Sequence, residues 1–203
     1  MRVLVACEFS GVVRDAFAAL GHDAWSCDLL DSETPGQHIR ADVSKVLGWG
    51  WDLMVAHPPC TYLTNAGVRH LHENVSSRLG NRTAIYGKAR WVEMEKGAEF
   101  FNVLKSAPIP KIAVENPVPH GYATRIIGRY TQLIQPWMFG HGETKATCLW
   151  LKSLPPLWPT QVVEGRFPRV DKTPPSKDRW KLRSVTYAGI ARAMAEQWGN
   201  PPP

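Results

Sequence analysis

The sequence predicts an α/β protein built on a single doubly wound, mostly parallel sheet of the Rossmann-like type. Three observations predict it. Short β-branched runs (RVLVAC, WDLMVA, KIAVENP) recur along the chain, amphipathic helical stretches alternate with them, and polar residues with Gly or Pro close the runs, where open parallel sheets bind ligands. At 203 residues, 44% hydrophobic and 21% charged, the chain suits one globular domain with a substantial core.

Residues 2–7 read as the first strand. Ser10-Gly11 turns the chain into VVRDAFAAL, whose apolar residues fall at helical spacing, and Gly21 follows as a C-terminal cap. DAWSCDL (23–29) is a second strand, Pro35-Gly36 a turn, 43–48 a short helix and WDLMVA (51–56) a third strand. The stretch 61–88 lacks periodic apolar residues and is expected to be a long functional loop outside the core. ARWVEMEKGAEFFNVLKS then sets Trp91, Met94, Ala98, Phe101 and Leu104 on one helical stripe, a core face. KIAVENP (111–117) and ATCLWLK (146–152) are strands, and AGIARAMAEQW (188–198) is a closing amphipathic helix. Residues 1–152 and 184–203 are thus expected to form the main domain, with 153–183 a short, irregular, basic and Pro-rich insertion.

Composition bounds the function. Cys7, Cys27, Cys60 and Cys148 lie far apart with no CxxC pair, and His70 and His72 are too close to share a helical face, so neither a metal site nor a disulfide framework is expected. No run approaches the ~18 apolar residues of a membrane span, and the N-terminus lacks the pattern of a signal peptide; a cytoplasmic protein is expected. The net charge of +6 and a pI near 9.3 make nucleic acid the first candidate partner and a phosphate-bearing nucleotide the second. Oligomeric state is not legible.

Polar signals fall at three strand ends: Glu8 to Gly11 after the first, Cys60 after the third, and Glu115 with Asn116 in a later one. These residues resemble the DNA cytosine-5 methyltransferases. Pro58-Pro59-Cys60, followed by Thr61, Leu63, Thr64, Ala66 and Gly67, resembles that family's catalytic loop, and Glu115-Asn116-Pro117 its Glu-Asn-Val element. Phe9-Ser10-Gly11 resembles the start of its cofactor turn, and Arg183-Ser184-Val185 its final Asn-Ser-Val motif.

The resemblance implies a fold of the S-adenosylmethionine-dependent methyltransferase type and transfer of a methyl group to carbon 5 of cytosine. Cys60 would be the nucleophile that adds to carbon 6, since carbon 5 alone is too poor a nucleophile. Glu115 would hydrogen-bond the ring, Asn116 would hold the loop, and Pro58 and Pro59 would stiffen it. S-adenosylmethionine would lie over the first strand ends, against Phe9, Ser10, Gly11, Asp28, Leu29, Asp42, Val43, Pro58, Ser184 and Val185. Asp28 would accept the ribose hydroxyls and Asp42 the adenine amine. Amino-methyltransferases are disfavoured, because His57 precedes the prolines where they carry Asp or Asn.

The sequence departs from the family in three places. Val13 and Arg14 stand where a Gly-Gly pair usually closes the cofactor turn, no Gln-x-Arg-x-Arg element is found, although Lys145 lies in that region, and 153–183 is too short for a target-recognition domain. A compact, phage-like or mobile-element form with short or relaxed specificity is the expectation. Double-stranded DNA with base extrusion would be the partner. Thr64, Arg69, Arg78, Arg82, Lys88, Lys145, Arg166, Arg169, Lys172, Lys177 and Arg179 are the candidates to grip it. The same chemistry on a free pyrimidine nucleotide, or a catalytically silent nucleic-acid-binding homologue, are the alternatives.

Overall fold

The structure, a computed structural model, describes residues 1–72, 85–169, 172–174, 176–177 and 179–199. Arg78 and Arg82 lie outside the described residues. The seven strands are β1 (Arg2–Ala6), β2 (Asp23–Asp28), β3 (His38–Arg40), β4 (Leu53–Ala56), β5 (Lys111–Pro117), β6 (Gln132–Ile134) and β7 (Thr147–Lys152). They form one sheet in the order β3-β2-β1-β4-β5-β7-β6. β1 to β5 pair in parallel, while β7 runs antiparallel to both β5 and β6.

The central strands are apolar on both faces because both faces are covered, which is why they read as continuous runs rather than alternations. On one face α2 (Gly87–Lys105) buries Met94, Ala98, Phe101 and Leu104; Trp91, half-buried, packs edge-on to Tyr122 in α3 (Gly121–Ile127). On the other face α1 (Val12–Ala19) and α5 (Ala188–Gly199) pack together, through Val13, Phe17, Ile190, Met194 and Trp198. The fit of α5 is tight at Gly189: a Cβ there would come within 1.9 Å of the Phe139 carbonyl oxygen.

Three expectations need correction. The stretch after Cys60 is not outside the core, since Leu63 and Leu71 are buried at the two ends of a segment that holds a 3-10 turn over Asn65–Leu71. The short helix expected over 43–48 is a 3-10 turn confined to Val43–Lys45. The stretch 153–183 is less irregular than its composition suggests. Leu157 is buried in the core, Gln161 and Phe167 bridge to Phe139 and Glu143, and a short helix α4 (Arg179–Ser184) closes the stretch. No described helix is long and apolar enough to cross a membrane.

Candidate active site

The chain reverses sheet order between β1 and β4, and a cavity of about 320 Å³ opens there, at the C-terminal ends of β1, β2, β4 and β5. Its floor begins with the turn after β1. Cys7 adopts φ +59° and swings the chain so that the buried carboxylate of Glu8 folds back over the start of α1. Both Glu8 oxygens accept there, from Val13 N at 2.7 Å and Arg14 N at 3.2 Å. Gly11, at φ +76°, is the residue this turn requires: a Cβ would sit 2.2 Å from Thr34 Oγ1. Phe9 and Ser10 line the cavity from this turn, joined by Asp28 and Leu30 after β2.

Arg14, at the departure from the expected Gly-Gly pair, is almost wholly buried. Its guanidinium donates to Ser26, Ser32, Thr34, Pro35 and Asp15, and so pins the 32–35 segment against α1. The loop that follows Asp28 and Leu30 in the cavity wall is therefore held by a charged fan in place of a glycine-rich contact.

At the end of β4, Pro58, Pro59 and Cys60 line the opposite wall, beside Glu115 of β5 and Lys145. Asn116, buried on β5, donates from Nδ2 to Pro58 O at 3.0 Å and so ties the proline pair to the neighbouring strand. The backbone beyond Cys60 is anchored twice more: Arg90 donates to Thr61 O at 3.0 Å, and His120 donates from Nε2 to Tyr62 O at 2.9 Å. Cys60 is consequently presented by a loop fastened on both sides. Its thiol is pushed up by burial and by the Glu115 charge, while Lys145 and Arg183 pull it down. For Glu115 burial acts upward, yet the hydrogen bond and charge of His57, helped by Lys145, hold its carboxyl below the ordinary value.

The roof is α4 and the segment after it. Trp180 lies against Phe9 with ring centroids 5.7 Å apart, and Arg183, Ser184 and Val185 complete the lining; Lys145 Nζ donates to Val185 O at 3.3 Å. The cavity thus gathers Phe9, Ser10, Asp28, Pro58, Pro59, Cys60, Glu115, Lys145, Ser184 and Val185 from the residues predicted by sequence. It does not gather the rest. Leu29 is exposed, Val43 is buried in the core, and the exposed Asp42 caps its 3-10 turn by accepting from Ser44 N at 2.9 Å.

The predicted DNA-binding residues are scattered. Arg69, Lys88, Lys172 and Lys177 are exposed and Thr64 bridges Pro119, whereas three arginines are engaged within the protein. Arg166 stacks on Trp137 at 4.0 Å, Arg169 pairs with Glu143 at 3.2 Å, and Arg179 donates to Thr173 O at 2.7 Å. Sequence reasoning gave no site role to His57 or Glu8, although Glu8 stands among the strand-end polar signals, and did not place Trp180 at this cavity. Among the described residues no cluster of three or more His, Cys, Asp or Glu side chains could hold a metal ion.

No protein-family model matches the chain, and no curated protein matches it. Several solved structures align with the chain at low identity. One, assigned as a DNA modification methyltransferase encoded within a prophage of E. coli, gives a TM-score of 0.47 at 12% identity, over 86% of this chain and 55% of that one. The Entamoeba histolytica methyltransferase EhMeth gives 0.45 at 12% identity, over 80% and 57% respectively. The S. pombe Dnmt2 methyltransferase gives 0.41 at 13% identity, over 85% and 54%. The chain therefore spans little more than half the length of each.

Proposed function

We propose that this chain is an S-adenosylmethionine-dependent methyltransferase that methylates carbon 5 of cytosine in double-stranded DNA through a covalent adduct with Cys60. One observation carries the reading: a cysteine behind two prolines after β4, a partly buried acid on β5 and an aromatic turn after β1 converge on a single cavity at the switch point of the sheet.

The lining fits the cofactor. Phe9, Leu30 and Pro58 offer apolar surface to an adenosine, and the Asp28 carboxylate offers an acceptor for ribose hydroxyls. When bound, S-adenosylmethionine supplies an electrophilic methyl group. The protein's own residues make the acceptor reactive. Cys60 Sγ, having given up its proton to solvent, adds to carbon 6 of the base, and the electron pair displaced from the 5,6 double bond makes carbon 5 nucleophilic. Glu115 meets the ring edge where charge changes during attack, and Lys145 offsets the sulfur's charge before the bond forms. Once carbon 5 carries the methyl group, loss of its proton to solvent and cleavage of the carbon 6–sulfur bond would return the Cys60 thiolate.

The test is Cys60→Ser, assayed by nucleoside mass spectrometry of duplex DNA incubated with cofactor. Methyl transfer should fall at least about a thousandfold while cofactor binding persists. Turnover equal to the unmodified protein would remove the mechanism. The internal engagement of Arg166, Arg169 and Arg179 favours one second reading, the same chemistry on a free cytosine nucleotide. Methylation of the mononucleotide at a rate equal to or above that of the duplex would select it.

A further inference from the structure

We infer that His57 is the positioning residue of Glu115: its imidazole grips one carboxylate oxygen, so that a pyrimidine entering the cavity meets the other oxygen alone and in a fixed orientation. The inference rests on the reaction proposed above and concerns a residue which that reaction does not otherwise use.

The geometry is direct. His57 Nδ1 lies 2.9 Å from Glu115 Oε2, with the side chains only 10% and 13% exposed. A carboxylate has no proton to give, so Nδ1–H donates. Both partners are set by the sheet. His57 N donates to Ala6 O at 2.9 Å, and the pairing of Ala56 with Val114 makes His57 and Glu115 the next step along adjacent strands. Pro58 follows and restricts His57 to an extended backbone. Nε2 is buried without a partner among the described residues, so Glu115 is the one group that orients the ring. Glu115 makes no other side-chain hydrogen bond among the described residues and lines the cavity, which leaves Oε1 to the ligand.

The surrounding charges give this grip a chemical consequence. Glu8 faces His57 from the turn after β1. Glu115 is faced by His57, by Lys145 before β7, and by the Cys60 and Cys148 thiols that feel its charge. Burial favours the neutral acid, but His57 and Lys145 outweigh it, so Oε1 is an anionic acceptor at neutral pH. Such an oxygen accepts from an exocyclic amine and stabilises a ring nitrogen that has taken a proton from solvent, which draws electrons from carbon 6 and favours attack there. With His57 removed, burial is opposed by Lys145 alone and the carboxyl moves upward. Because the working form is the anion, the rate would then be lost at low pH and recovered as pH rises through the raised value.

Two variants separate this role from packing. His57→Leu removes the donor; His57→Asn keeps an amide N–H near the place of Nδ1–H. Each is first checked for cofactor binding and circular dichroism. The Glu115 carboxyl is titrated by carbon-13 NMR in protein carrying labelled glutamate, with Glu115→Gln identifying the resonance. In His57→Leu the titration should move up by about one unit or more, the scale of losing one close favourable partner. Its kcat on duplex DNA should fall about 100-fold, the lower end for a positioned acid–base group, with the KM for cofactor unchanged and the acid limb of the rate profile displaced toward alkaline pH. His57→Asn should recover most of both. Where leucine is not tolerated, His57→Gln, which carries its amide near Nε2, serves as the variant lacking the Nδ1 donor. An unchanged Glu115 titration in the leucine variant, or equal loss in leucine and asparagine variants with the same pH profile, would overturn the inference while leaving the reaction standing. Absence of methyl transfer to any cytosine substrate by the unaltered protein would overturn the reaction and, with it, the substrate side of the inference.

Discussion

Arg14→Met is the most informative change outside the loop that carries Cys60. The guanidinium makes short contacts to Thr34 Oγ1 at 2.6 Å, Asp15 Oδ1 at 2.8 Å, Ser32 Oγ and Pro35 O at 3.0 Å, and Ser26 Oγ at 3.2 Å. A charged hydrogen bond contributes about 1.5–3 kcal/mol, but these do not add, because methionine also removes the cost of burying the guanidinium. Ser26 keeps His38 as a partner at 2.9 Å, and the half-exposed Asp15 is screened by solvent, so its ion pair contributes little. The Ser32, Thr34 and Pro35 oxygens lose their donor, at about 1 kcal/mol each as the low end for an unsatisfied buried group, a loss of about 3 kcal/mol. For a chain of this size that is a fall in Tm of roughly 6–12 °C. Urea unfolding followed by circular dichroism measures it, with the m-value required to stay constant. Arg14→Lys should lose nearly as much, since one ammonium cannot span acceptors in five residues. In the same variants S-adenosylmethionine affinity should fall, because the segment beyond Asp28 and Leu30 loses its anchor. A stability loss below about 1 kcal/mol, with cofactor affinity intact, would refute the view that this arginine replaces a glycine-rich turn as the support of the cavity wall.

Other expectations follow from single contacts. Asp28→Ala should weaken S-adenosylmethionine binding by about tenfold or more in calorimetry, as loss of a charged acceptor does, while Asp42→Ala should cost about 1 kcal/mol of stability as a lost cap and leave affinity nearly unchanged. Gly189→Ala should destabilise by more than 1 kcal/mol in thermal melts, because its Cβ would collide with the Phe139 carbonyl oxygen, a backbone atom that cannot step aside. Duplex binding should weaken steeply with salt, and Lys172→Glu with Lys177→Glu should flatten the log–log slope by about two; an unchanged slope would show that these lysines touch no phosphate.

The parts of the fold legible in the sequence are those whose residues face apolar surroundings on every side. RVLVA, LMVA and KIAVENP read as strands because central parallel strands are covered on both faces. The three-residue strands His38–Arg40 and Gln132–Ile134 gave no such signal, since edge position leaves them half polar and too short for a period to show. The loop after Cys60 misled for a related reason: Leu63 and Leu71 are buried eight positions apart, and two isolated leucines make no pattern. In the cavity, Cys60 and Glu115 were legible as candidates because short motifs flank them. His57 has no motif, and its partner is 58 residues away; only the register of β4 against β5 makes the two neighbours. Arg14 read as a defect in a glycine-rich turn until Ser32, Thr34 and Pro35 were seen to need its donors.

The carboxylate of Glu8 has a consequence for ligand choice. In many nucleotide-binding sheets the first helix after β1 offers its free amides to a phosphate. Here Val13 N and Arg14 N already donate to Glu8, which is itself buried. An incoming phosphate would find those donors engaged and a carboxylate in its place. On the function proposed above, that arrangement would disfavour adenosine compounds with a phosphate chain on the 5′ carbon, as in nucleoside di- and triphosphates, relative to those with a thioether or sulfonium chain. The internal acid acts as a resident mimic of the anion that the fold would otherwise hold.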